Sequence, residues 1–264
     1  MPSEPCVRSE PWVRSEPRVA SEPWVRSEPW VRSEPCLAGE PRVASERGAS
    51  VSGAGNSVSP GRFITLEGIE GAGKSTVAQL AVGWLAARGI TARVTREPGG
   101  TPLAERVRKI VLERGPEAVS PQAETLLMFA ARSIHVENLI RPALARGEWV
   151  ICDRFTDATR AYQGYGRGLD PAWIEQLALA VHGDLQPDCT LLLDLPVALG
   201  LSRARGRSGT AADRFEAEVE EFFERVRTGY LLIAQHNPQR VRVIDASRTL
   251  PDVTEQVTRV LESL

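Results

Sequence analysis

The sequence predicts an α/β domain: a doubly wound, five-stranded parallel sheet flanked by helices, behind a disordered repetitive arm. Three observations predict it. Short apolar runs at 63–66, 91–95, 149–152, 189–195 and 241–245 alternate with helical stretches; continuous runs of this length read as strands buried on both faces of a parallel sheet. The first run leads through the glycine-rich turn of "FITLEGIEGAGKST" (63–76) directly into a helix. The opening of the chain follows a different rule, a six-residue repeat with a proline in nearly every unit.

That arm comes first. Its hexads run SEPCVR, SEPWVR, SEPRVA, SEPWVR, SEPWVR, SEPCLA, GEPRVA and a decayed SERGAS, with Val7, Val13, Val19, Val25, Val31, Leu37 and Val43 in register. A β-helix is one ordered structure such a period could build, but at about three hexads per coil the arm holds little more than two coils. The prolines also remove a ladder donor from unit after unit. Low apolar content with frequent Pro and Glu therefore points to disorder of polyproline-II character. Trp12, Trp24 and Trp30 leave room for a docking segment. "GASVSGAGNSVSPG" then reads as a flexible linker, so residues 1–60 form arm and linker and residues 61–264 the folded domain.

Inside the domain the helices have legible ends. Gly89 closes the helix that begins at the glycine turn. Thr101-Pro102 and Asp170-Pro171 each supply a cap followed by a first-turn proline. The stretch 121–146 reads as one long helix bent near Pro142. A sheet of this class binds its ligands at the carboxyl ends of the strands, so the residues that follow each strand are the candidates for function.

Composition narrows the choices. With 32 basic and 34 acidic residues, no global field recruits nucleic acid or an anionic membrane. No apolar run approaches the roughly 20 residues that span a bilayer, and the N-terminus lacks the apolar stretch of a secretory signal. Cys6, Cys36, Cys152 and Cys189 lie far apart without metal-ligand spacing. Free thiols in a reducing cytoplasm are expected. Only Lys74 and Lys109 among the basic residues are lysines. Lys74 stands in the glycine turn, where a compact ammonium on a flexible stem fits a phosphate nest better than a guanidinium fork.

The turn Gly68-x-x-x-x-Gly73-Lys74-Ser75 has the spacing and the strand–turn–helix context of a P-loop. Gly68, Ile69, Glu70, Gly71, Ala72, Gly73, Lys74, Ser75 and Thr76 are therefore the expected ATP-binding residues. Backbone N–H groups and the helix N-terminus would hold phosphates, Lys74 would bridge them from a solvent-facing turn, and Ser75 would bind Mg²⁺. Glu70 is unusual beside phosphates, and a sugar hydroxyl or the metal suits it better. GTPases, motor ATPases and kinases share this loop, but Lys109 in "ERVRKIVLE" gives no Asn-Lys-x-Asp base reader, which removes the GTPases. Arginines after strands then suit transfer of phosphate between two anionic substrates. "TREPGGT" places Arg96 before a Pro-Gly-Gly turn, or is an ordinary connecting loop. In "LLMFAARSIH", Phe129 and Arg132 share a helix face and could grip a base and its phosphate, although core packing is the commoner use of a lone Phe. "CDRF" ends a strand with Asp153, suited to the metal or to Lys74, and Arg154, suited to the transferring phosphate; a structural ion pair is the alternative.

Taken together, "TREPGGT", "FAAR", "DRF" and "AYQGYGRG", in this order and spacing over residues 63–260, resemble the bacterial branch of the thymidylate kinases. That resemblance implies transfer of the γ-phosphate of ATP to dTMP, giving dTDP, with Mg²⁺, in a cytoplasmic homodimer that needs neither nucleic acid nor membrane. It implies that Arg96, Arg132 and Arg154 hold the thymidylate phosphate and that Phe129 stacks on thymine, with Met128 the competing register. Thr159 and Gln163 would read the base edge, Tyr162 would crowd the ribose 2′ position, and Glu70 would lie near the 3′-hydroxyl. Lys74, Asp153, Arg154 and a lid arginine would carry catalysis, with Ser75 and Asp153 on the metal. The lid candidate is "SRARGRSGTAADRFEAE", with Arg203, Arg205, Arg207 and Arg214, of which Arg207 is the expected catalytic one. A kinase for another nucleotide, or an ATP sensor using the arm as its interaction module, are the rival readings.

Overall fold

The computed structural model describes residues 61–113, 116–206 and 219–264. The hexads, the linker through Pro60, and Arg207 and Arg214 lie outside them. Five strands form one sheet: β1 (Phe63–Glu67), β2 (Ala92–Arg96), β3 (Trp149–Asp153), β4 (Cys189–Asp194) and β5 (Val241–Asp245). All pairings are parallel, in the order β2-β3-β1-β4-β5. In register, Leu66 lies opposite Asp153 and Leu191, and Arg96 also lies opposite Asp153. The loops after β1, β2 and β3 therefore leave the sheet at one edge.

The strands sit where the sequence puts them, but they are not equally buried. Alternation sends Ile64, Leu66 and Ile151 into the core on one face, and Phe63, Val150 and Cys152 into the core on the other. Fully burying each large side chain contributes about 1.5–3 kcal/mol. β1, β3 and β4 are covered on both faces. β2 and β5 are edge strands with a single neighbour, and Val94 and Val243 are half exposed. The expectation of five buried strands holds only for the central three.

Nine α-helices are present among the described residues: α1 (Lys74–Ala86), α2 (Pro102–Leu112), α3 (Pro121–His135), α4 (Arg141–Ala145), α5 (Thr156–Thr159), α6 (Pro171–His182), α7 (Val197–Arg205), α8 (Glu220–His236) and α9 (Leu250–Glu262). The caps act as expected. Thr101 Oγ1 accepts from Ala104 N at 3.3 Å, and an Asp170 carboxylate oxygen accepts from Ala172 N at 2.9 Å. After α1, Ile90 N reaches back to Leu85 O across the left-handed Gly89. The long helix expected over 121–146 is interrupted by a π-helical stretch, Val136–Ile140, just before Pro142. Proline offers no N–H to the ladder and its ring crowds the carbonyl four residues back. A second π-helical stretch, Arg160–Gly166, follows α5 at the edge of the main cleft.

Candidate active site

A cleft of about 390 Å³ opens over the carboxyl ends of β1, β2 and β3. Its floor is the loop from Gly68 to Gly73. A side chain at Gly71 would run into the Gly200 carbonyl, so only glycine lets the loop lie this close to α7. Lys74 was expected on a solvent-facing turn, but it is buried. Its Nζ donates to the carbonyls of Gly68 and Ile69, both at 3.0 Å. Burial, helped by the nearby Arg154 charge, lowers its pKa to about 8 against the pull of Asp153, Glu70 and Glu67. The ammonium is thus held inside the loop on two carbonyls. Ser75 and Thr76 are exposed at the start of α1, and Gly71, Gly73 and Ser75 line the cleft.

The end of β3 supplies the next wall. Arg154 adopts φ 72°, a left-handed conformation rare for a residue with a Cβ. Neighbours hold it there: its N–H donates to Leu66 O at 2.9 Å, and the following Phe155 N–H donates to Glu67 Oε1 at 2.7 Å. Glu67 is buried and also accepts from Tyr230 Oη at 2.8 Å. Burial and the Asp157 charge push its carboxyl up to about 8. The turned backbone aims the Arg154 guanidinium at the phosphate loop, where it donates to Gly68 O at 2.6 Å and Glu70 Oε1 at 2.8 Å. Tyr162 Oη donates to the other oxygen of Glu70 at 2.7 Å. Glu70 therefore bridges Arg154 and Tyr162. Asp153 Oδ1 is buried without a hydrogen-bond partner.

Opposite lies a wall built from buried charge. Arg132, on α3, is 3% exposed. Its Nε donates to Glu97 Oε2 at 2.6 Å, and its Nη2 donates to Phe155 O at 3.1 Å and Thr159 Oγ1 at 3.0 Å. Nη1 has no partner, although it is buried and the residue lines the cleft. Burial alone would raise the Glu97 pKa, but Arg132 and His135 outweigh it and hold the carboxyl below its ordinary value. His135 in turn bonds Thr95 Oγ1 at 2.7 Å. A Cβ at Gly100 would collide with that histidine and threonine, which is why the Pro-Gly-Gly turn can press against them. Arg96 reaches the cleft from an exposed ion pair with Glu105, 3.0 Å. Gln163 and Thr159 are buried in the lining, and Gln163 Nε2 donates to Glu124 Oε1 at 2.8 Å.

A second sequence expectation fails here. Phe129 does not face the cleft. It is 2% exposed in a small core with Ile174 and Ala178, beneath the Arg132 guanidinium at 4.7 Å. Met128 lines the cleft instead. Met128 and Phe129 both lie within a turn of Arg132, but Phe129 packs against Ile174 and Ala178 of α6, which leaves Met128 on the cleft side. Of the basic segment, Arg203 is tied to Ala246 O at 2.8 Å, Arg205 is exposed, and Arg207 and Arg214 fall outside the described residues.

A family model for thymidylate kinase matches residues 66–257. The chain belongs to the thymidylate kinase family. The thymidylate kinase of Pseudomonas syringae pv. syringae is 55% identical over 204 residues, covering 77% of this chain and 96% of that protein. That of Alkalilimnicola ehrlichii is 53% identical over 203 residues, covering 77% and 93%. The crystal structure of thymidylate kinase from Ehrlichia chaffeensis matches with a TM-score of 0.62 at 35% identity, over 77% of this chain and 99% of that one. The family phosphorylates dTMP to dTDP with ATP, so the chain is a phosphotransferase whose small-molecule substrates are ATP and dTMP. No described helix is long and apolar enough to cross a membrane.

Sequence reasoning missed Glu97, Glu124, Arg108 and Glu67, all at or just behind the cleft. Glu97 stood inside a quoted stretch, and its position next to Arg96 at a strand end was a usable signal. Glu67, the last residue of β1, carried the same strand-end signal, whereas Glu124 carried none, because its partner Gln163 lies 39 residues away.

Proposed function

We propose that this cleft binds ATP on the phosphate loop and dTMP against α3, and passes the γ-phosphate to the 5′-phosphate oxygen of dTMP. The observation that carries the assignment is Arg132 Nη1. A buried guanidinium nitrogen without a partner is costly unless a ligand supplies one, and here every other contact of the group fixes its plane. A phosphate dianion is the natural acceptor. Arg132 and Arg154 hold that phosphate, with Arg96 at the rim. Gln163 and Thr159 face the base edge, Met128 takes the packing role expected of Phe129, and Tyr162 closes the 2′ side of the sugar. Glu70, through Arg154 and Tyr162, couples the sugar side to the phosphate loop. Loop N–H groups and Lys74 hold the ATP phosphates. The acceptor is already an anion, so positioning and charge neutralisation suffice and no general base is needed.

The buried, unpaired Asp153 Oδ1 and the exposed Ser75, which line the same cleft, fit Mg²⁺. Those two residues would hold the ion, which when bound neutralises charge on the phosphates. A homodimer is part of the same reading. Leu103 and Ile110 on α2, Leu126 on α3 and Leu179 on α6 are half exposed or more, and α3 packs against both α2 and α6; an apolar surface of this kind suits a second copy. The near-balanced charge and the free thiols Cys152 and Cys189 support a cytoplasmic enzyme without a nucleic-acid partner. Residues 1–60 we read as an arm outside the kinase unit, because the curated relatives align nearly whole with about three quarters of this chain.

The test is ATP consumption with and without dTMP, in wild type and Arg132→Lys. Wild type should form ADP only with acceptor. Arg132→Lys keeps the charge but loses the planar fork, and should raise KM for dTMP about tenfold or more while leaving KM for ATP within about twofold. An effect confined to ATP would overturn the placement of the acceptor.

A further inference from the structure

A glutamine that reads a base has two faces to offer, an accepting oxygen and a donating nitrogen, and they select different bases. Gln163 is not free to choose. Its Nε2 donates to Glu124 Oε1 at 2.8 Å, with Gln163 2% and Glu124 1% exposed. Turning the amide over would set its carbonyl oxygen against a carboxylate oxygen, two acceptors with no hydrogen between them. In a buried site the lost bond is not replaced by water, so the flipped amide is disfavoured. Arg167 donates to both Glu124 oxygens, Nε to Oε1 and Nη2 to Oε2, each at 3.4 Å, and so holds the carboxylate in place. Among the described residues nothing donates to Gln163 Oε1, and the side chain lines the cleft. The amide therefore presents an acceptor to whatever base enters.

We propose that Glu124 is a specificity-positioning residue: it locks the Gln163 amide with its oxygen toward the base and so admits a ring that carries an N–H and rejects one that offers a lone pair. Thymine and uracil carry a hydrogen on N3, whereas N3 of cytosine is an acceptor. Oxygen facing acceptor is the same conflict that Glu124 imposes on the flipped amide, now imposed on the wrong substrate. Rejection of this kind comes from an unpaired polar group in the wrong complex and is larger than a mere change of shape would give. The inference rests on the reading that Gln163 faces the base.

The experiment compares kcat/KM for dTMP and dCMP in the full chain with wild type, Glu124→Gln, Glu124→Ala, Gln163→Ala and the double variant Glu124→Gln/Gln163→Ala. Glu124→Gln keeps the shape but can donate or accept, so the Gln163 amide is released. The dTMP-to-dCMP ratio should fall about tenfold or more, through a raised KM for dTMP and a gain on dCMP, with kcat for dTMP within about threefold of wild type. Glu124→Ala, which also removes the lock, should move the ratio the same way and serves if the isosteric variant does not fold. In the Gln163→Ala background Glu124→Gln should leave the ratio unchanged. A Glu124 variant that lowers both substrates alike, or that shifts the ratio without Gln163 present, would show a structural role and overturn the proposal. If Gln163→Ala itself leaves the ratio untouched, the reading of Gln163 as base contact fails and the lock fails with it. A fall in Gln163→Ala alone would sink only the lock.

Discussion

The two sides of the cleft are built by different means. The proposed donor side is one short continuous loop between β1 and α1, which brings Lys74 and Glu70. The proposed acceptor side is side chains drawn from separate stretches and wired to partners: Arg132 to Glu97, Gln163 to Glu124, and Arg154 and Tyr162 back to Glu70 of the loop. Backbone geometry can be specified by neighbours in sequence. Paired side chains need partners brought together by the whole fold. The donor side should therefore fail by losing chemistry and the acceptor side by losing selectivity or stability, and each variant below presses on that division.

The largest effect is expected from Lys74→Ala. Its ammonium stabilises charge that develops during transfer, so turnover should drop by roughly a thousandfold or more. Because Nζ satisfies two loop carbonyls, a stability loss of about 1–3 kcal/mol should accompany it, which circular dichroism and thermal melting would record. A folded variant that keeps more than about a tenth of wild-type turnover would break the contrast at its stronger end.

Two neighbouring residues on α3 sharpen it next. Phe129 is core and Met128 is cleft lining. Phe129→Ala should cost about 3–5 kcal/mol of stability, lowering Tm by about 2–4 °C per kcal/mol, while KM for dTMP in the folded protein changes little. Met128→Ala should do the reverse, raising KM for dTMP severalfold at nearly unchanged Tm. If Phe129→Ala raises KM selectively with Tm intact, the register stated in the sequence reading is the right one after all.

Gln163→Ala comes third, at about ten- to a hundredfold in kcat/KM for dTMP, since a base atom loses its partner in a site shielded from water. KM for ATP should hold within about twofold. A matching loss on ATP would mean that the two sides are one unit.

What could be read in the sequence follows the same division. The turn from Gly68 to Thr76 was legible because it is nine consecutive residues running from an apolar strand into a helix. Strand positions were legible within a residue from apolar runs alone. Which strands would be edges was not, because the order β2-β3-β1-β4-β5 is a property of packing and not of any run. Elsewhere in the cleft the motifs named Arg132, Arg154, Thr159, Tyr162 and Gln163, all of which line it, but not the carboxylates that hold Arg132 and Gln163. Glu97 lies 35 residues from Arg132, and Glu124 lies 39 from Gln163, and no periodicity spans such gaps. The Phe129 expectation failed over a smaller step, one residue on α3: both positions lie within a turn of Arg132, and the packing of Phe129 on α6 decides which of them the cleft takes.

The smallest effect is a titration, and it separates the two sides without a mutation. Lys74 is lowered to about 8 by burial and then by the neighbouring Arg154 charge. It holds phosphate only when protonated, so kcat/KM for ATP, which reports the free enzyme, should be level below that pH and fall as pH rises through it. The loss is about twofold at the pKa and about tenfold for each further pH unit. The Arg154 wall supplies no such limb: burial alone would lower its pKa, but Tyr162, Glu70, Tyr230 and Asp153 outweigh it and hold the guanidinium well above its ordinary value, so it stays charged. With ATP saturating, the bound phosphates already favour the ammonium, so kcat/KM for dTMP should hold level to higher pH than kcat/KM for ATP. Glu67 also titrates near 8, so both profiles belong in Glu67→Gln as well, where a limb owed to Lys74 persists. Coincident limbs for the two substrates would place a titrating group on the acceptor wall, and the donor and acceptor sides would no longer differ in kind.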